Sequence, residues 1–359
     1  INAGNNTFTR LNFGTSLANT PTVTNFGTMD GIFPVEVNSM YMVRDSSDGR
    51  WYLFITGGIV AGTSSLSRID FGKSLANTPN IVNFGNLENK MIYPTGVFVA
   101  KNGNNWHGFF VNRIANQIMR FDMGTNISLT PTITKITPVD TTQISGPTDI
   151  GAIKEKDGKW YFFMTNGGDG TVVRIDMDSL TNVNPDITLI SNPLPNLNVP
   201  YSITLVRDCG QIHAFITDFA SHDVVRMEMN DVKGPYTGTK MNALSPTLLS
   251  PTGISKVVRD RDNVYAFITN QADKSISQMK FAQCTNSNIR YSLTNKPPEY
   301  KYDTPGLYNV YYAVNEGLPN MEVQCKLIRV LPIPALIILP PDTTICQGDT
   351  AFVRMISIN

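Results

Sequence analysis

The sequence predicts an all-β chain made of four-stranded sheets copied around an axis, and three observations carry that reading. The stretch Phe13-Gly-Thr-Ser-Leu-Ala-Asn-Thr-Pro21 returns as Phe71-Gly-Lys-Ser-Leu-Ala-Asn-Thr-Pro79 with one position changed. A charged ladder runs through Arg10-Leu-Asn, Arg68-Ile-Asp, Arg120-Phe-Asp, Arg174-Ile-Asp, Arg226-Met-Glu and Gln278-Met-Lys, at strides of 58, 52, 54, 52 and 52 residues. A second ladder, in which an apolar run ends at Gly57, Asn112, Asn166, Asp218 or Asn270, keeps step with the first.

Each unit divides into four short apolar, β-branched or aromatic runs bounded by Gly, Asn, Asp and Pro, the pattern of strands and turns. In one unit these are Pro94 to Ala100, Trp106 to Asn112, Gln117 to Met123 and Thr132 to Ile136. The first two are almost wholly apolar and the last two alternate, so each sheet is expected to be dry at one edge and wet at the other. Asp48-Gly49, Asn102-Gly103 and Asp157-Gly158 fall between first and second strands, where a tight hairpin needs positive φ. No helical period competes. A propeller of four-stranded blades is the expectation.

Taken in order, residues 1–27 supply the last two strands of a blade whose first two are expected upstream, as in an internal piece of a longer protein. Five units follow with first strands at Pro34, Pro94, Pro147, Pro200 and Pro251, the last without a clear fourth strand. The propeller is therefore assigned to residues 1–284. Residues 285–334 read as a small β-sandwich: two alternating strands around the Pro305-Gly306 turn, then a third from Val323 to Leu331. Residues 335–359 begin a further module.

Formal charge sums to zero and only 16% of residues are Asp, Glu, Lys or Arg, which argues against a nucleic-acid partner. No apolar run reaches membrane-spanning length. P-loop, dinucleotide-binding, G-x-S-x-G and paired-cysteine metal motifs are absent from the sequence.

The segment Tyr302-Asp-Thr-Pro-Gly-Leu-Tyr-Asn-Val310 resembles the signature of the PKD (polycystic kidney disease) family of immunoglobulin-like modules, although the family's W-x-F-G-D-G segment is missing. The tail Asp342-Thr-Thr-Ile-Cys-Gln-Gly-Asp349 resembles the start of another immunoglobulin-like module in large secreted proteins of gliding Bacteroidota. The repeats resemble NHL-type repeats and the propeller that precedes a PKD module in those proteins. The resemblance implies export by type IX secretion, an extracellular or cell-surface location, and contact with the secretion machinery.

Among the histidines, His107 and His213 occupy the second-strand slot held elsewhere by Tyr52, Tyr161 and Tyr265, so they read as packing residues; His222 lies in a loop with Asp218 and Asp223. The Arg-x-Asp pairs read as ion pairs between blades. Asn112, Asn166, Asp218 and Asn270 read first as caps of their own loops, and second, with His222, as a polar ring holding a ligand or Ca²⁺ on one face. No other cofactor is expected. Of the four cysteines, Cys209 and Cys284 are expected to form a disulfide, while Cys325 has no evident partner.

Two functions remain open. The first is a non-catalytic interaction or adhesion module binding extracellular protein or glycan, with the PKD-like unit as spacer. The second is a propeller enzyme of lactonase or lyase type, with polar residues at the central channel.

Overall fold

The computed structural model of the 359-residue chain describes all residues except 191–195, 209, 242–246, 261–262, 282–291, 315–321, 333–334, 340–341, 343, 353 and 359. A hairpin of β1 (Thr9–Asn12) and β2 (Thr22–Asn25) comes first. Blade one holds β3 (Val37–Arg44), β4 (Trp51–Gly57), β5 (Ser65–Gly72) and β6 (Asn80–Asn83) in that order. Blade two holds β7 (Pro94–Asn102), β8 (Asn105–Asn112), β9 (Gln117–Gly124) and β10 (Thr132–Ile136). Blade three holds β11 (Pro147–Lys154), β12 (Trp160–Asn166), β13 (Thr171–Asp178) and β14 (Asp186–Ile190). Blade four holds β15 (Pro200–Asp208), β16 (Gln211–Asp218), β17 (Asp223–Met229) and β18 (Tyr236–Lys240). In the fifth sheet the first strand is split into β19 (Pro251–Ile254) and β20 (Val258–Asp260), both paired with β21 (Asn263–Asn270), which also pairs with β22 (Ser275–Phe281).

The register confirms that the units are copies. Tyr52 faces Asp70, His107 faces Asp122, Tyr161 faces Asp176, His213 faces Glu228 and Tyr265 faces Lys280, each on neighbouring second and third strands. The slot is real. Blade one starts its first strand at Val37, not Pro34, because Val37 is the residue that pairs with Gly57 as Pro94 pairs with Asn112.

A β-bulge interrupts the start of every first strand, one or two residues after that pairing. The ladder skips Asn38 in blade one and Thr148 in blade three, and Gly96 in blade two, where Thr95 stays paired. The residue after the pairing position turns its side chain to the next blade in all three: Asn38 donates to the Pro94 carbonyl at 3.0 Å, Thr95 to the Pro147 carbonyl at 2.9 Å, and Thr148 to the Pro200 carbonyl at 2.7 Å. Further from the axis the charged ladder performs the same task. Nη1 of Arg10, Arg68 and Arg120 donates to the carbonyls of Leu75, Ile127 and Leu180 in the following blade, and Arg174 reaches Val232 through the Tyr236 hydroxyl.

These contacts also close the circuit. Gln278 of the fifth sheet donates to the Leu17 carbonyl at 2.7 Å, and Phe13 packs on Phe267 with ring centroids 5.2 Å apart, so the opening hairpin stands between the fifth sheet and blade one. Between the blades, apolar side chains fill the gaps, with Trp106, Phe54, Phe110 and Phe121 sealed between blades one and two. The expected inter-blade ion pairs are corrected in part: Arg120 and Arg174 pair with Asp122 and Asp176 two residues along their own strands, since such residues share a strand face, and Asp176 alone of these also meets Lys233 of blade four, at 3.3 Å. Asp70 pairs with Arg50 instead.

Beyond the propeller, β23 (Gly306–Val314) pairs with β24 (Glu322–Val330), and β25 (Ala335–Leu339) with β26 (Arg354–Ile358). The expected Pro305-Gly306 hairpin turn is not one. Residues 300–305 are not a strand and β23 begins at Gly306, because the Tyr308 hydroxyl ties the segment back by donating to the Thr304 carbonyl at 2.7 Å. Cys325 on β24 is disulfide-bonded and Cys346 is free and exposed, while Cys209 and Cys284 lie outside the described residues.

Thr148 is 3% exposed, so Thr148→Val would strand the Pro200 carbonyl without its donor and should cost about 1–3 kcal/mol in urea unfolding. Thr252, in the same slot of the fifth sheet, bonds only within its own sheet, to Thr269. Its Val substitution should cost under about 0.5 kcal/mol; equal costs at the two positions would refute the inter-blade role.

Candidate functional site

The residues expected to form a polar ring are loop clamps. Asn112, Asn166 and Asp218 are 0% exposed and Asn270 is 4% exposed. Each side-chain oxygen accepts from the backbone just ahead of its own first strand: Asn112 from Ile92, Asn166 from Ser145, Asn270 from Leu249, and Asp218 from both Asn198 and Val199. The three amide groups are spent within their own blades, two of the donations going to the Lys90 and Gln143 carbonyls. His222 stands apart at φ 57°, where Nδ1 accepts the Ser250 N–H at 2.8 Å, as Asn116 at φ 52° accepts the Gly146 N–H at 2.8 Å. It is another tie between blades.

The side chains that break the repeat lie elsewhere, and they gather. The slot after the bulge holds Ser39, Gly96, Asp149, Ser202 and Gly253, with one carboxyl among five. The bulge slot holds Asn38, Thr95, Thr148, Tyr201 and Thr252, with one aromatic among short polar residues. Just past each second strand stand Gly58, Arg113, Gly167, Phe219 and Gln271, whose N–H groups donate to Glu36, Tyr93, Gly146, Val199 and Ser250. Asp149, Tyr201, Arg113 and Tyr93 are the exceptions in their slots, and all belong to blades two to four.

Three of them meet, and Asp149 bonds Ser202 beside Tyr201. The Arg113 guanidinium lies over the Tyr93 ring at 5.6 Å and over the Tyr201 ring at 5.8 Å, so it reaches from blade two to blade four. Blade three leaves the way open because Gly146 and Gly167 fill the slots of Tyr93 and Arg113. Tyr201 packs on Phe219 at 5.9 Å, and burial raises its hydroxyl above the ordinary range, with Arg113 pulling it back and Asp149 adding to the rise. Tyr93 holds φ 51°, as Glu36, Gly146 and Ser250 hold φ 53° in the same slot, so this conformation belongs to the repeat.

Asp149 is the carboxyl of this cluster, in a slot where Ser39 and Ser202 likewise accept an N–H of the next blade. Its Oδ2 accepts from Ser202 Oγ at 2.7 Å and from the Ile203 N–H at 3.0 Å, and its Oδ1 from the Ile150 N–H at 2.8 Å. Gly96 makes the space: a Cβ there would sit 2.6 Å from the Asp149 Cα and 2.8 Å from Oδ1. Burial pushes the carboxyl up to about 6 in spite of these donors. Asp218 goes the other way. Burial raises it too, but Ser221 and the N–H groups of Asn198 and Val199 outweigh burial and hold it below the ordinary range.

The slot comparison was available in the sequence. What hid Asp149 and Arg113 was a search for polar residues that recur, when the informative ones are those that do not. Among the described residues, no group of three or more His, Cys, Asp or Glu side chains converges to hold a metal ion, and no helix is long and apolar enough to cross a membrane.

No family model matches the chain, and no curated protein matches it. Solved structures do. A thermostable family-43 glycoside hydrolase aligns at a TM-score of 0.48 and 11% identity, over 73% of this chain and 96% of its own. A family-43 β-xylosidase/α-arabinofuranosidase from a compost microbial metagenome, in a calcium-free form with xylotriose, aligns at 0.45 and 11%, over 70% and 93%. A 6-phosphogluconolactonase candidate from Bacteroides uniformis aligns at 0.40 and 16%, over 81% and 87%. At this identity the likeness concerns sheet architecture alone. The expectation of a non-catalytic adhesion module is corrected to this extent: the solved structures of similar architecture are titled as enzymes, which is said of those proteins alone.

Raising Asp149 from 3.8 to about 6 means that the folded state favours its protonated form. Its contribution to stability is therefore greatest below 3.8 and is lost as pH rises through about 6, a change of at most on the order of 3 kcal/mol. Thermal unfolding from pH 4.5 to 7.5 should show the native chain losing ground to Asp149→Asn across that window. A difference that does not vary with pH would refute the raised acidity.

Proposed function

We propose that the chain is a propeller enzyme of lactonase or lyase type, acting at the channel mouth on a carbohydrate-derived substrate, with Asp149 as its acid–base residue. One observation carries the reading: the single carboxyl in its slot is poised near neutrality, beside an arginine and two tyrosines that are each the exception in their own slots. An acid–base group works best when its pKa lies close to the working pH. Above about 6, Asp149 is ionised and takes a proton from an attacking water or from a carbon beside a carbonyl; Ser202 holds the carboxylate in place by donating to Oδ2. The protonated carboxyl then returns the proton to the departing oxygen. The flat faces of Tyr93 and Tyr201 are suited to the apolar side of a sugar ring.

The wider setting belongs to the same proposal. An extracellular or cell-surface location, export by type IX secretion, a glycan as external partner, and the division into residues 1–284, a PKD-like unit at 285–334 and a further module at 335–359 agree with two features. One is the Tyr308-to-Thr304 bond, the form of tyrosine corner found in immunoglobulin-like folds. The other is the disulfide-bonded Cys325, which suits an oxidising compartment.

The test is turnover by the full chain on a panel of sugar lactones and uronate-containing oligosaccharides. Activity should follow a limb with an apparent pKa near 6 and fall by at least about 100-fold in Asp149→Asn. Turnover unchanged in that variant, or none on any panel member, would overturn the proposal.

A further inference from the structure

We propose that the channel mouth is an anion-binding site in which Arg113 anchors a carboxylate or phosphate group carried by the substrate's sugar ring. This rests on the mouth being the working site and names the substrate class it takes. The other arginines of the blades have partners that explain them: Arg120 and Arg174 hold Asp122 and Asp176, Arg50 holds Asp70, Arg207 holds Glu155, and Arg68 is spent on the Ile127 carbonyl. Arg113 differs. Among the described residues no carboxylate pairs with it, and its contacts are the rings of Tyr93 and Tyr201 and the Tyr201 hydroxyl.

That arrangement suits capture of an anion. A guanidinium carries more N–H donors than one tyrosine hydroxyl can use, and those that remain match two oxygens of a carboxylate or phosphate. The two rings also fix the long side chain before any ligand arrives, which removes much of the ordering cost of binding. The positive charge is half-buried and uncompensated, so a ligand anion would meet it in a setting where screening is weak. Asp149 accepts from Ser202, the residue next to Tyr201, at 2.7 Å, which brings the carboxyl to the neighbourhood of the anchored anion.

A purely structural Arg113, stapling blade two to blade four, is the competing account. Calorimetric titration separates the two, using the full chain and its Asp149→Asn variant with D-glucuronate, D-glucose 6-phosphate, inorganic phosphate and D-glucose at low salt. The proposal expects at least one sugar anion to bind about 10-fold or more tightly than glucose in both proteins, and the stronger of the two identifies the anionic group. Arg113→Met should bring the anions down to the level of glucose, while Arg113→Lys, which keeps the charge, should retain part of the affinity. Glucose binding as well as the anions, no anion binding at millimolar concentration, or full anion affinity in a folded Arg113→Met chain would overturn it. Binding is read without turnover, so no anion binding by the unsubstituted full chain, with neutral lactones still processed, sinks this inference alone. Turnover indifferent to Asp149→Asn sinks the acid–base reading alone.

Discussion

The structure depends on hydrogen bonds that pass from each blade to the next. A bulge at the start of each first strand leaves backbone groups that the ladder does not use, and a buried carbonyl without a donor is costly. Asn38, Thr95 and Thr148 resolve this by donating across the gap to the following blade, near the axis. The third-strand arginines do the same further out, with a charge-assisted bond to a loop carbonyl. Sheets that would otherwise touch only through apolar side chains are thereby fixed in angle and height. The opening hairpin is bound into the circuit by the same device, through Gln278 to Leu17 on one side and Arg10 to Leu75 on the other.

Much of this was legible in the sequence because a repeat exposes its own rules. Equal strides put Tyr52, His107, Tyr161, His213 and Tyr265 in one slot before any coordinates existed, and the pairing of each with the third strand agrees. Spacing does not say where a long side chain goes. Arg-x-Asp was read as an ion pair between blades, yet the aspartate sits two residues along the same strand face while the guanidinium's far nitrogen crosses to the neighbour. The Pro305-Gly306 pair was read as a turn by its composition, and a tyrosine hydroxyl four residues from its acceptor decided otherwise.

The polar residues that end the second strands show why recurrence is a poor guide to chemistry. A side chain needed in every blade serves what every blade needs, here the holding of the loop before its first strand. Asp218 and Asp149 mark the division. Both are carboxyls held by backbone N–H groups and a serine hydroxyl, but the donors win at Asp218 and burial wins at Asp149. The first carboxylate is locked as a structural charge. At the second, burial resists ionisation, in the part of the ring where Arg113 lies over Tyr93 and Tyr201.

The account therefore turns on one carboxyl group whose surroundings resist its ionisation. Its titration can be followed directly by carbon-detected NMR of the Asp149 side-chain carboxyl, assigned by comparison with Asp149→Asn. A midpoint near 6 is the predicted result. A midpoint at or below 3.8 would show an ordinary structural carboxylate and contradict the reading of the channel mouth as a place of proton transfer.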